Sequence, residues 1–159
     1  MNIKVGHGID IHQLKIGESL YLGGVKIDSE LGIVGHSDGD IVIHAIVDAI
    51  LGALAKGDIG TFFPSTDEKY KNISSIFFLE ETLNLMIDLG FFISNIDINV
   101  VLQKPHINSY VFSIRENLSK IINIDIDNIS VKATTADKLG FIGKKEGIMS
   151  TATILLIGK

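Results

Sequence analysis

Asp10-Ile11-His12 and His44 supply one carboxylate and two imidazoles, a donor set suited to a zinc ion. An extended backbone sends alternate side chains to the same face, so Asp10 and His12 on a strand point together and can chelate one ion. With five histidines and no cysteine in 159 residues, metal ligands are confined to His, Asp and Glu. Three protein ligands with one open position is the arrangement of a catalytic zinc, whereas a structural zinc is closed by four. A single Asp-x-His pair is a weak motif, so the third ligand and the elements that deliver it decide the matter.

The chain opens with an extended Ile3 to His12, followed by Leu20 to Ile27, where Gly23-Gly24 joins two short runs as in a hairpin. Ser37-Asp38-Gly39-Asp40 precedes the apolar run Ile41 to Ala55 and reads as a capping-box-like start, with Ser37 as the cap, to a helix over about 38–55. A second helix fits Ser74 to Leu89, closed by Gly90, and a third about Ser109 to Ile121. Phe91 to Gln103, Ile129 to Thr135 and Gly147 to Ile157 read as strands, with a glycine-containing turn at 137–143. Phe63 to Glu68 is the most loop-like stretch and is placed to cover a site.

His44 sits four residues from both Asp40 and Asp48, so the three share one helical face. One reading is a capped helix with a buried, hydrogen-bonded histidine. The other makes His44 the third metal ligand, with Asp48 orienting its ring from behind. Gly35-His36-Ser37, running into a helix N-terminus, offers amides and a hydroxyl to a phosphate, although Ser37 is equally explained as the cap. Lys132 to Phe141 gathers hydroxyls, a carboxylate and two lysines at a strand-to-turn junction. That composition suits phosphates and a hard metal, or simply two β-favouring threonines before a turn.

Composition narrows the classes. A net charge of -5, from 14 basic and 19 acidic residues with no Lys/Arg block longer than a pair, speaks against a nucleic-acid surface. The longest apolar run is shorter than the roughly 20 residues of a membrane span, and residues 1–6 have the character of neither a signal nor a transit peptide, so a cytoplasmic location is expected. A hydrophobic fraction of 46% is high for a small soluble monomer and points to a homo-oligomer. Residues 1–159 read as a single domain.

Taken in order, Gly6-His7-Gly8-Ile9-Asp10-Ile11-His12, Gly35 to Asp40 with His44, Gly57 to Pro64, and Lys132 to Thr135 followed by Lys138 to Phe141 closely resemble the 2-C-methyl-D-erythritol 2,4-cyclodiphosphate synthases over essentially the whole chain. The resemblance implies an α+β domain, a mixed or antiparallel sheet with helices on one face, assembled as a homotrimer with active sites between subunits. It implies conversion of 4-diphosphocytidyl-2-C-methyl-D-erythritol 2-phosphate to the 2,4-cyclodiphosphate and CMP, in non-mevalonate isoprenoid synthesis. The attacking group is then the substrate's own 2-phosphate, which suits a chain without a convincing nucleophile-base motif.

By position the resemblance makes Asp10, His12 and His44 zinc ligands and gives a second ion, magnesium or manganese, to Asp137, where the family carries a glutamate. The carboxylate here is one methylene shorter. His36 and Ser37 match phosphate contacts, Asp58 and Gly60 the methylerythritol side, and Pro105, His106, Ala133, Thr134 and Thr135 the cytidine diphosphate side, Thr135 counting also among the catalytic positions. Phe141 and Lys144 match further substrate positions. His106 stands where lysine is usual, Ser65 replaces a common aspartate, and Lys144 replaces an arginine and so loses a bidentate fork. Two other classes fit the same ligands, a zinc hydrolase using metal-bound water and a noncatalytic metal- or nucleotide-binding trimer.

Overall fold

Strand β1, Ile3–Ile16, has alternating burial: Gly6, Gly8 and Leu14 are buried, while Ile3, Val5, Ile9 and Ile11 stand exposed on the other face. It runs four residues beyond the expected end, because Leu14 to Ile16 pair with β4, Leu31–Ile33, an edge strand whose three residues carry no periodicity to read. Between them lies the expected hairpin of β2, Leu20–Leu22, and β3, Val25–Ile27, with Gly23 and Gly24 both at positive φ. The computed structural model describes residues 2–35 and 37–159, so His36 lies outside the described residues.

Helix α1, Ile41–Ala53, follows. Its cap is Asp40 and not Ser37. Asp40 is buried and accepts from the amides of Val42 and Ile43 as well as from Gly23 and Gly24, so it ties the helix start to the hairpin turn. Burial pushes its carboxyl up, and the amides oppose that shift. Ser37 instead accepts from the amide of Gly39, three residues too early to cap. Only Asp48 and Gly52 of α1 escape full burial, since the sheet covers one side and α3, Ser75–Asp88, another. The short α2, Ile59–Phe62, lies between them in sequence.

The remaining strands are β5, Phe91–Val101, β6, Ile129–Thr134, and β7, Gly147–Gly158, with α4, Val111–Ile122, between β5 and β6 and the short α5, Gly140–Gly143, inside the expected turn. Five strands form a mixed sheet in the order β4-β1-β7-β5-β6; only the β5–β6 pair is parallel. The fold is thus α+β. The apolar side chains of α1, α3 and α4 share one core with the inward residues of the sheet. Among the described residues, no helix is long and apolar enough to cross a membrane.

Gly6 and Gly8 let α1 lie against β1. A Cβ on Gly8 would run into the carbonyl of Ala45, and one on Gly6 into that of Ala49. Two strand residues advance about 6.7 Å and four helical residues about 6 Å, so the glycine and alanine rows stay matched. Gly8→Ala is therefore expected to cost about 3 kcal/mol by overpacking. In a thermal melt this lowers Tm by about 6–12 °C, and an unchanged Tm would contradict the backbone contact.

Candidate metal centre and a second cavity

The same matched rows bring the next inward residue of β1, Asp10, to the first turn of α1, where His44 projects. His12 lies one further step along the strand. His12 Nδ1 and His44 Nδ1 each stand 3.0 Å from Asp10 Oδ2, and the three ligating atoms lie within 4.8 Å of one another. A tetrahedral ion with bonds of about 2.0–2.1 Å needs ligand atoms about 3.3 Å apart, so the set fits one divalent metal. His12 Nδ1 is buried and, despite its nearness to Asp10, is not aligned for a hydrogen bond. An orphaned nitrogen beside a carboxylate is a place for a cation.

Burial alone pushes the Asp10 carboxyl up, but the close imidazoles of His12 and His44 outweigh it by polar contact and charge attraction and hold the group at about 2. Asp10 Oδ1 also accepts from the amide of Ile11. Asp48 does not orient His44. Its Oδ1 accepts from the amide of Ile59 at 2.7 Å and so anchors the segment that enters α2, while burial, with the like charges of Asp58 and Asp10 nearby, pushes its carboxyl up. The groups behind the ring are hydroxyls: His44 Nε2 is 2.9 Å from Ser75 Oγ and 3.4 Å from Ser37 Oγ. Ser75 was invisible to motif reading because it looks like one more residue at a helix start.

A cavity of about 270 Å³ opens in front of the triad, walled by Ser37, Ile59, Gly60, Phe63, Ser65, Tyr70 and Phe78. Phe63 and Ser65 belong to the loop expected to cover a site. Asp58 caps α2, accepting from the amide and hydroxyl of Thr61, and thereby sets the position of Ile59 and Gly60 in the wall.

Pro105, His106, Ala133, Thr134 and Thr135 gather elsewhere, with Leu102, Ile107 and Asn108, around a second cavity of about 120 Å³. The sheet register relates the two. Asp10 pairs with Ser150, Ser150 with Val100, and Val100 with Ala133, so both cavities lie at one end of the sheet. Three strand spacings separate them, roughly 14 Å. Asp137 is exposed, at positive φ just beyond Thr135, and is not part of the triad's cluster. Phe141 packs over Gly147, and Lys144 ends α5.

The Asp10 shift has a direct consequence for stability. Its folded value lies below the ordinary 3.8, so the stabilisation is complete above pH 3.8 and is lost as pH falls toward about 2. In metal-free protein, Asp10→Asn should flatten that part of the acid limb in denaturant titrations. An unaltered acid slope would contradict the coupling.

The family model described as the YgbB family matches residues 3–157. A relative from Clostridioides difficile (strain 630), named 2-C-methyl-D-erythritol 2,4-cyclodiphosphate synthase, is 49% identical over 155 residues, 98% of this chain and 96% of the relative. Among solved structures, IspF of Plasmodium falciparum in complex with CDP is similar at a TM-score of 0.88 and 45% identity, covering 99% of this chain and 97% of that one. The bifunctional IspDF from Campylobacter jejuni gives a TM-score of 0.95 at 39% identity over 99% of this chain, which spans only 43% of that longer protein.

Proposed function

The chain belongs to the YgbB family, that of the 2-C-methyl-D-erythritol 2,4-cyclodiphosphate synthases, and from that premise we propose how its residues carry the reaction. The function is formation of the cyclodiphosphate in isoprenoid biosynthesis. The substrate is 4-diphosphocytidyl-2-C-methyl-D-erythritol 2-phosphate. An oxygen of its 2-phosphate bonds to the β-phosphorus, the bond from that phosphorus to the CMP oxygen breaks, and CMP leaves, so the enzyme is a cyclising phosphorus-oxygen lyase. No protein nucleophile is needed, and the work lies in holding two mutually repelling phosphates in line.

In this reading Asp10, His12 and His44 would hold zinc at the cavity they line. Zinc bound there would supply Lewis-acid charge to a phosphate oxygen. Asp137 offers a hard oxygen donor to magnesium or manganese at the substrate phosphates. Ser37 and His36 contact phosphate, and Asp58 sets Gly60 beside the methylerythritol hydroxyls. Thr134, Thr135, Ala133, Pro105 and His106 hold the cytidine diphosphate, and Phe141 and Lys144 complete the substrate contacts. A relative solved as a CDP complex supports that side of the reading.

The two cavities serve one composite site contributed by neighbouring copies, in a homotrimer located in the cytoplasm. Two features favour this. Ile3, Val5, Ile9 and Ile11 are between 51% and 66% exposed on the sheet face that the helices leave bare, an apolar surface that association would bury. The triad and the Thr134–Thr135 pocket also lie at opposite sides of the sheet end.

The observation that carries the proposal is the convergence of a strand carboxylate and imidazole with a helix imidazole at a cavity, in a chain of this family. His44→Ala should leave a folded oligomer that binds no stoichiometric zinc and loses at least about 100-fold in turnover, a loss of about 2.7 kcal/mol of transition-state stabilisation or more. Metal analysis and CMP release measured on the same preparation check it. Full turnover in a zinc-free variant would overturn the metal assignment.

A further inference from the structure

Ser75 is fully buried at the first turn of α3, and its hydroxyl has one hydrogen to give. Three groups compete for it. His44 Nε2 is 2.9 Å away, Ser37 Oγ is 3.5 Å away, and Asp38 Oδ1 makes the short contact of the three. The amide of Ser75 donates to the other oxygen of Asp38 at 3.1 Å, so the carboxylate grips this residue at two points. The amide of Asp40 donates to Asp38 Oδ1 as well, at 3.2 Å, which fixes the carboxylate from the α1 side.

A carboxylate accepts and does not donate, so the Ser75 hydrogen goes to Asp38. Ser75 Oγ then meets His44 Nε2 with lone pairs only, and the contact is a hydrogen bond only if Nε2 carries a hydrogen. Ser37 Oγ, which already accepts from the amide of Gly39, can accept weakly from the same N–H at 3.4 Å. With the hydrogen held on Nε2, the other nitrogen is the one whose lone pair an ion can take. That nitrogen, Nδ1, is the one aimed at Asp10 Oδ2.

We propose that Ser75 and Asp38 are positioning residues for the metal site: they hold His44 with its hydrogen on Nε2 and so present the Nδ1 lone pair to the ion. The inference rests on the metal reading of Asp10, His12 and His44 and adds two residues to it. It gives Asp38 a role in the site beyond the loop that precedes α1, and it explains why a hydroxyl at the start of α3 is fully buried and hydrogen-bonded to both partners. Carboxylates often hold the second nitrogen of a metal-bound histidine directly. Here the carboxylate acts through a serine.

The test combines nitrogen-15 NMR of the histidine rings with zinc competition against a chelator, on full-length wild type, Ser75→Ala and Ser74→Ala. Ser74 Oγ accepts from the amide of Ile76 and caps α3, so Ser74→Ala weakens the same helix start without touching the relay. Expected in wild type is a hydrogen on His44 Nε2 in both metal-free and zinc-loaded protein, with zinc on Nδ1. Expected for Ser75→Ala is a 10- to 100-fold loss of zinc affinity and rapid solvent exchange of that hydrogen, with Ser74→Ala retaining wild-type zinc affinity. A bare Nε2 in wild type, or a Ser75→Ala affinity within twofold of wild type, overturns the proposal. If wild type carries the Nε2 hydrogen yet binds no zinc, the metal reading fails and the assignment of the hydrogen stands on the ring spectra, which require no variant to fold.

Discussion

The close approach of α1 to β1 is the constraint on which everything else depends. Because Gly6 and Gly8 carry no side chain, the helix backbone at Ala45 and Ala49 rests directly on the strand. The matched advance of strand and helix then carries the contact forward to the point where Asp10 and His12 leave the strand and His44 leaves the helix. A helix raised by even one methyl layer would withdraw His44 from Asp10. The candidate metal centre is thus a product of backbone packing before it is a product of its ligands.

Around that contact the molecule arranges polar groups with little slack. Asp40 joins the start of α1 to the Gly23–Gly24 turn, Asp48 joins the middle of α1 to the entry of α2, and Ser75 joins the start of α3 to His44. The last two each place one wall of the cavity, through Ile59 and through Phe78 of α3, relative to the same helix. The apolar residues of α1 fill the space between, which is why a helix carrying the site can also be the most buried element of the fold. The opposite face of the sheet follows a different rule. Among the described residues its exposed isoleucines and valine have no helix above them, and the Thr134–Thr135 pocket lies roughly 14 Å across the sheet from the triad.

Much of this was legible in the residues. Period-two placement of Asp10 and His12 on a strand, the hairpin at Gly23-Gly24, a helix bearing His44 and the loop at Phe63 to Glu68 all follow from local chemistry. The misreadings have one cause, which is that local patterns do not say which side chain reaches which distant amide. Ser37 and Asp40 both suit a helix cap, and the choice of Asp40 was made by the hairpin amides it also satisfies. Asp48 is correctly spaced to support His44, but the amide of Ile59 claims it. Ser75 and Asp38 are 37 residues apart and meet only when α3 packs on α1. Strand β4 is three residues long and is specified by its partner in β1. The closer correspondence of the remaining positions, including the shorter carboxylate of Asp137, came from resemblance and not from periodicity.

The most direct test of the central claim is phosphorus NMR with mass detection of the purified protein turning over 4-diphosphocytidyl-2-C-methyl-D-erythritol 2-phosphate, with zinc and magnesium, in water enriched in oxygen-18. An enzyme that positions the substrate's own phosphate as nucleophile yields CMP and a cyclic diphosphate in equal amounts, neither containing oxygen from solvent. CMP with an open-chain bisphosphate, and solvent oxygen in either product, would mean that the metal centre activates water and would contradict the account.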